Sequence, residues 1–302
     1  MLPDGFIFIQ RDWLSSNSLL LKNDKASFLI DSGYLTHADM TLKVLEKHLN
    51  GQQLDVILNT HLHSDHCGGN SILQQRYPSL SILVPSNQLH SVNSWDSSKL
   101  TFDKTGQSCN PFSASDGLIP GEVIDILGLQ WEIIGSPGHD SDSVMFFQPD
   151  FRILVSADAL WESNVSVVFP EFDNSSGFEA AMSTFDVIER LNPQLVIPGH
   201  GRMFEAVTTA LHSSRSKMTQ FINDPRYHAQ YSAKVLLKFK LMELGRVQHK
   251  IFIDWCITSQ LLNHIHNAFF YTTDFKSWIN SILEEFMRKL AIDYDGQTIT
   301  NL

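Results

Sequence analysis

The sequence predicts an α+β protein in which two β-sheets pack together with helices outside, followed by a small, mostly helical unit. Three observations carry this expectation. The first two thirds of the 302-residue chain alternate short runs of Ile, Leu, Val and Phe with stretches of helical periodicity. No internal repeat of fixed period appears. Beyond about residue 205 the texture changes, and apolar residues recur at three- and four-residue steps. The expected division is a two-sheet domain over 1–204 and a helical one over 205–302.

In chain order, GFIFIQ (5–10), SNSLLLK (16–22) and ASFLIDSG (26–33) read as strands. Residues 38–49 set Ala38, Leu42, Leu45 and Leu49 on one helical face. LDVILNT (54–60) follows as a buried strand, then the loop HLHSDHCGG and a helix over about 69–77. LSILVP (80–85) is a strand, and 87–95 a short helix. Residues 96–121 carry Pro111, Gly117, Pro120 and Gly121 and read as a polar excursion over the surface. EVIDI (122–126), QWEIIGS (130–136), SVMFFQ (143–148) and FRILVSA (151–157) read as strands, with Pro149–Asp150 turning between the last two. Residues 177–191 read as a helix started by a Ser176/Glu179 capping box, with Phe178, Ala181, Met182, Phe185 and Ile188 as its stripe. LVIPGHG (195–201) is a strand running into a tight turn. Helices are expected at 204–222, 229–244, 251–266 and 275–291, with ELGRVQHK (243–250) as a turn between two of them. Asp295–Gly296 marks a hairpin between IDY and TIT, a small wing at the end of the chain.

Composition narrows the function classes. The apolar set makes up 43% and charged residues 18%, a mixture that folds. The net charge of −11 is uneven: residues 1–200 hold 10 Lys/Arg against 24 Asp/Glu, and 201–302 hold 12 against 9. An acidic main body and the lack of a Lys/Arg cluster argue against a large nucleic-acid footprint. Three cysteines (Cys67, Cys109, Cys256) form no pair with redox or zinc-knuckle spacing, which fits a reducing, cytoplasmic setting. No secretory signal and no run of 18 apolar residues is visible, so no membrane span is expected.

The chemistry concentrates in Thr60-His61-Leu62-His63-Ser64-Asp65-His66-Cys67-Gly68-Gly69. Three imidazoles and a carboxylate lie within six residues, directly after an apolar strand. His61 and His63, two apart, project to the same side of an extended segment. Asp65 and His66 come where the loop turns into a helix and can feed a second metal position, while Gly68 and Gly69 let the backbone turn tightly behind them. His139, Asp158 and His200 each sit where another buried strand meets a loop. A fold that gathers these strand ends would unite them into a site for metals with N/O preference: zinc first, then iron or manganese. A lone His beside a Gly is an ordinary loop residue; the cluster is what points to metal binding.

These residues carry a resemblance. DSG (31–33), THLHSDHCGG (60–69), SPGHD (136–140), SADAL (156–160) and IPGHG (197–201), in this order, make residues 5–203 resemble the metallo-β-lactamase superfamily of metal-dependent hydrolases. The resemblance implies a four-layer αββα sandwich with metals at one sheet edge. It assigns His61, His63 and His139 to one ion, Asp65, His66 and His200 to a second, and Asp158 to both, with Asp31 orienting a ligand imidazole. It implies hydrolysis by a hydroxide held between two ions, with Asp65 able to accept a hydrogen bond from it as a catalytic group. Such a site stays formally positive, which suits a small, anionic substrate. Authentic lactamases usually carry Cys where Asp158 stands, so antibiotic hydrolysis is not the expected task.

Ester, thioester or lactone hydrolysis is the first expectation, because THxHxDHxGG resembles the form in hydroxyacylglutathione hydrolases. Lys217, Arg226, Tyr227, Tyr231 and Lys234 are candidates for binding glutathione, against the more ordinary reading of solvated helix surface. The C-terminal unit resembles the winged-helix tails of some superfamily members, RNA-cleaving ones included; phosphodiesterase or ribonuclease activity is the alternative, and a regulatory protein with a residual site a third. The wing is equally suited to covering the site or to forming a subunit interface in a homo-oligomer. Trp161, Asn164, Phe169, Phe172 and the 96–121 segment are candidate pocket walls or domain packing. His228, His264, His266 and Cys67 read as structural.

Overall fold

The computed structural model describes residues 2–97, 99–173 and 175–302. The chain divides into two compact units, one running to Thr101 and resuming over Ser108–Gln220, the other made of Phe102–Gln107 and Phe221–Leu302.

In the first unit, β1 (Phe6–Ile9), β2 (Ser18–Lys22) and β3 (Ser27–Ile30) form an antiparallel meander. Helix α1 (Ala38–Leu49) crosses over to β4 (Val56–Leu58), parallel to β3. Helices α2 (Ser64–Cys67) and α3 (Asn70–Arg76) lead to β5 (Ser81–Pro85), parallel to β4. After α4 (Leu89–Asn93) and α5 (Phe102–Thr105), which belongs to the second unit, β6 (Asp116–Leu118) adds in parallel to β5. The second sheet holds β7 (Val123–Ile126), β8 (Leu129–Gly135), β9 (Val144–Gln148), β10 (Ile153–Ala157) and, after α6 (Gly177–Leu191), β11 (Leu195–Pro198). Its strands are antiparallel except β10 and β11. Helix α7 (Val207–Asn223) follows. Two mixed sheets with helices outside are the expected αββα sandwich.

The core lies between the sheets, where Leu19, Leu21, Ile30 and Leu58 meet Trp131, Ile133, Val144, Phe146, Val155 and Ile197. Strands buried on both faces explain why SLLL and ILVSA read as continuous apolar runs rather than alternating ones. Trp131 is fully buried. A side chain of this kind buries about 150–250 Å², worth about 4–6 kcal/mol as an upper figure. Its Nε1 finds no acceptor among the described residues, which offsets about 1–3 kcal/mol of that.

Three sequence expectations are corrected here. Residues 96–121 are no mere excursion: they contain α5 and β6, and Leu100, Phe102, Phe112, Ala114 and Leu118 are buried. The Ser176/Glu179 capping box does not form; the N–H of Phe178 donates instead to Glu171 Oε1 at 2.6 Å, from the 3-10 turn before the helix. The helix expected over 251–266 breaks at Ser259, whose hydroxyl caps the N–H of Leu262.

The second unit holds α8 (Pro225–Leu244), β12 (Arg246–Gln248), α9 (His249–Thr258), α10 (Gln260–Ile265) running into a π turn (His266–Phe270), α11 (Phe275–Arg288), β13 (Ile292–Tyr294) and β14 (Thr298–Asn301). The wing at Asp295–Gly296 is present. It is larger than the sequence suggests, because 246–248 is a strand and not a turn: β12 pairs with β14 and completes a three-stranded sheet. Buried His266 is fixed structurally, its Nε2 2.8 Å from Thr273 O.

His228 in α8 supplies a pH prediction. Burial pushes it down to about 3. Between that value and its ordinary one, the unfolded chain binds the extra proton, so stability is lost as pH falls below about 6.5. The expected loss between pH 7.5 and pH 5 is about 2 kcal/mol from this side chain. A His228→Leu chain should therefore lose about 2 kcal/mol less over that interval, read by amide exchange of α8; equal pH dependence in both chains would refute it.

Candidate metal centre

Five strands deliver their C-terminal ends to one edge of the first unit. β3 runs into Asp31, β4 into Thr60–His63, β8 into His139, β10 into Asp158 and β11 into His200. Parallel pairing of β3 with β4 and of β10 with β11 puts those ends on the same side. The β10–β11 register slips between Val155 and Ala157, and Ala157 takes φ 46°, a bulge that re-aims the chain just before Asp158.

A polar scaffold fixes the loop. Ser32 N donates to His66 O at 2.7 Å and Asn59 Nδ2 to the same carbonyl at 3.1 Å. The β1–β2 loop ties both sides of the site: Ser16 N donates to Asp65 O, and Asn17 N to Gly199 O. The glycines act by close approach rather than by unusual torsions. Gly68 has φ −63° and Gly69 φ −83°, so the expected tight turn is not their reason. A Cβ on Gly68 would meet Leu35 N, one on Gly69 would meet Ser32 O, and one on Gly199 would run into Asp158 Oδ1.

The side chains converge in three overlapping groups: His61, His63 and His139; His61, His66 and Asp158; Asp65, His66 and His200. Within each group the donor atoms lie within 4.8 Å of one another. His63 Nδ1 is 2.7 Å from His139 Nε2, and His200 Nε2 is 3.1 Å from Asp65 Oδ2. Asp158 reaches both sides, with Oδ1 3.4 Å from His66 Nε2 and Oδ2 3.4 Å from His139 Nε2 and 3.9 Å from His200 Nε2.

On His61, His66 and His139 the nitrogen turned away from this focus has a partner of its own, while His63 Nε2 and His200 Nδ1 are buried without a hydrogen bond. His66 Nδ1 is 2.7 Å from Asp31 Oδ2, His139 Nδ1 2.6 Å from Val167 O, and His61 Nδ1 3.1 Å from Thr60 Oγ1. Nitrogens turned inward on His61 and His66 are buried without a hydrogen-bond partner. Buried polar atoms left in this state are costly, and a shared cation relieves them. Outer nitrogens tied to acceptors and inner ones left open are what metal-binding imidazoles require, so the residues fit a pair of cations.

Electrostatics agrees. Burial pushes His61 well below its ordinary value, with the neighbouring imidazoles adding to this, so it stays a neutral donor. Burial alone would raise Asp158, but His66, His200 and His139 outweigh it and hold the carboxyl well below its usual range. Burial likewise opposes a charge on His66, and Asp158, Asp31 and Asp65 overcome it, raising it well above its ordinary value. The same three carboxylates that favour positive charge on this imidazole favour a cation at the focus.

The metallo-beta-lactamase superfamily profile matches residues 11–200, which is most of the first unit and every residue named at the focus. The chain belongs to this superfamily. Among curated proteins, it is 27% identical over 150 residues to a hydroxyacylglutathione hydrolase of Xylella fastidiosa, covering 50% of this chain and 47% of that one. It is 30% identical over 120 residues to one from Rhizobium meliloti, covering 40% and 38%. The chain thus spans about half the length of such curated relatives. In fold it is similar to a metallo-beta-lactamase family protein from Thermus thermophilus (TM-score 0.58, 16% identity, all of both chains). It is also similar to a metallo-beta-lactamase from Cronobacter sakazakii (TM-score 0.61, 14% identity, 75% of this chain and 97% of that one). For a metallo-beta-lactamase superfamily chain, the clustered donors form a metal-dependent hydrolytic site.

Of the candidate walls, Trp161 donates Nε1–H to Asp158 Oδ1 at 3.2 Å, and the Phe169 ring stands 5.0 Å from His63 and 5.5 Å from His139. Asn164 is exposed, and Phe172 is buried rather than lining a mouth. Sequence reasoning missed Trp13, which is exposed yet stacks on His200 at 5.4 Å and 7°. The glutathione candidates of the second unit have partners within it: Lys234 pairs with Glu285 at 2.6 Å, Arg226 lies over Phe270, and Tyr227 and Tyr231 pack on Phe221. Lys217 lies on α7. Two of the three cysteines, unpaired by spacing, meet in space: Cys67 Sγ lies 3.8 Å from Cys109 Sγ, both as free thiols.

Proposed function

We propose that the chain hydrolyses a small ester, thioester or lactone, with two zinc ions in the site. His61, His63 and His139 would hold one ion; Asp65, His66 and His200 would hold the other; Asp158 would serve both. The reach of Asp158 to both groups is the observation that carries a paired rather than a single ion. Two divalent ions held by these residues would supply a water ionised near neutrality and a Lewis acid for the carbonyl. The chain's own residues do the rest. Asp65 would accept a hydrogen bond from the attacking water, and Asp31 and Val167 O would hold imidazoles in the tautomer that binds metal. The thioester preference is supported by the hydroxyacylglutathione hydrolases the chain resembles, since a hydroxyacylglutathione is a thioester.

No helix among the described residues is long and apolar enough to cross a membrane. The test is metal content followed by a substrate panel. Purified protein should carry about two equivalents of metal, lose hydrolysis to a chelator and regain it with zinc, and act on thioesters, esters or lactones. A single equivalent, or turnover of phosphodiesters alone, would overturn this reading, and the second result would favour the nuclease alternative.

A further inference from the structure

We propose that Asp140 is a positioning residue for the first ion: its carboxylate faces His63 Nε2 and fixes the tautomer in which His63 offers Nδ1 to the metal. The inference rests on the two-ion reading above and names a group outside all three donor clusters.

His63 differs from its neighbours in the nitrogen it turns inward. Its Nδ1 meets His139 Nε2 at 2.7 Å, so Nε2 points away from the focus. That Nε2 is buried and makes no hydrogen bond, yet it lies 3.6 Å from Asp140 Oδ2. The outward nitrogens of His61, His66 and His139 each have an oxygen partner closer than this, so Asp140 occupies the place of the acceptor His63 lacks. Once Nδ1 binds a cation, Nε2 must carry the proton, and a buried N–H without an acceptor costs about 1–3 kcal/mol. Drawing the ring and the carboxylate together by a few tenths of an ångström completes the bond.

Asp140 is prepared for this. It is 7% exposed, and its Oδ1 accepts the N–H of Asp142 at 2.8 Å, which leaves Oδ2 directed at His63. Among the described residues no Lys or Arg forms an ion pair with it. A buried carboxylate with a histidine as its ion-pair neighbour is expensive to keep for packing alone. Its place directly after His139 lets one short loop supply both a donor atom and the support of a second donor.

The full chain, stripped of metal, is titrated with Zn²⁺ against a chromophoric chelator, as wild type, Asp140→Ala and Asp140→Asn. Circular dichroism and thermal unfolding of the metal-free chains check the fold. The wild type should bind two equivalents. Asp140→Ala should weaken one of them about 10–100-fold and leave the other within about twofold. Asp140→Asn, whose single amide oxygen is shared between the Asp142 N–H and Nε2–H, should fall between wild type and alanine. With the fold intact, undiminished binding in Asp140→Ala, or equal weakening of both equivalents, overturns the proposal. Should Asp140→Ala fail to fold, the wild type and Asp140→Asn decide by NMR: zinc-loaded His63 must show a slowly exchanging Nε2–H proton that shifts in the Asn chain, and a fast-exchanging or unshifted proton overturns it. A wild type that takes up fewer than two equivalents overturns the two-ion reading and this inference with it.

Discussion

Replacing Asp158 with alanine should lower kcat/KM by on the order of 10³-fold or more and bring bound metal below two equivalents. The magnitude follows from position. Loss of a group that merely supports a metal ligand costs about 10–100-fold. Asp158 is the carboxylate whose two oxygens approach imidazoles of both clusters, at 3.4 Å on each side. Its removal takes a donor from both proposed ions and negative charge from between them. Asp158→Asn keeps an oxygen but not the charge, and should fall between wild type and alanine. Steady-state kinetics on the best panel substrate, with metal analysis of the same samples, makes the check. An alanine chain with wild-type turnover at full metal loading would remove Asp158 from the centre of the mechanism.

The donors were legible because each is announced locally. An apolar run ending near His or Asp marks a strand end, and THLHSDHCGG packs four donors into six residues. Apart from Asp31, which the family resemblance names, their supports are not legible, because they come from elsewhere in the chain and carry no type of their own. Val167 acts through a backbone carbonyl, and Trp13 reaches His200 from the loop between β1 and β2. Fold detail failed for the same reason. β6 is Asp116-Gly117-Leu118, too short and too glycine-rich to show a period of two, and it is a strand because β5 offers an open edge. Likewise β12 exists through its pairing with β14, more than fifty residues away. The capping-box pattern is present locally, but the Ser176 side chain makes no cap, and the helix start is satisfied instead at the Phe178 N–H by Glu171. The order of elements and the type of each donor follow from local pattern, whereas what holds the donors in their tautomers is decided by long-range packing.

Asp31→Ala should be the most destabilising single change at the site, and a comparison with Asp31→Asn should separate backbone from charge. Asp31 lies at φ 57°, a left-handed position that Asn tolerates and Ala does not favour. Its Oδ1 accepts the N–H of Thr60 at 2.9 Å, and its Oδ2 accepts the Thr60 hydroxyl and His66 Nδ1–H, both at 2.7 Å. All of these groups are buried. Alanine leaves three donors without an acceptor, each worth about 1–3 kcal/mol, and adds backbone strain, so a loss on the order of 5 kcal/mol is expected. Asparagine preserves the backbone but offers one acceptor oxygen and one N–H₂. If its oxygen stays on the Thr60 N–H, the N–H₂ confronts His66 Nδ1–H and drives that imidazole toward the tautomer that cannot present Nε2 as a donor. Asp31→Asn should therefore fold with a far smaller stability loss than alanine, yet bind the second equivalent of metal about 10–100-fold more weakly. Urea unfolding and a zinc competition titration on the two chains separate these effects. An Asn chain that loses stability as severely as alanine while binding both metals normally would make Asp31 a structural brace and remove its role in orienting His66.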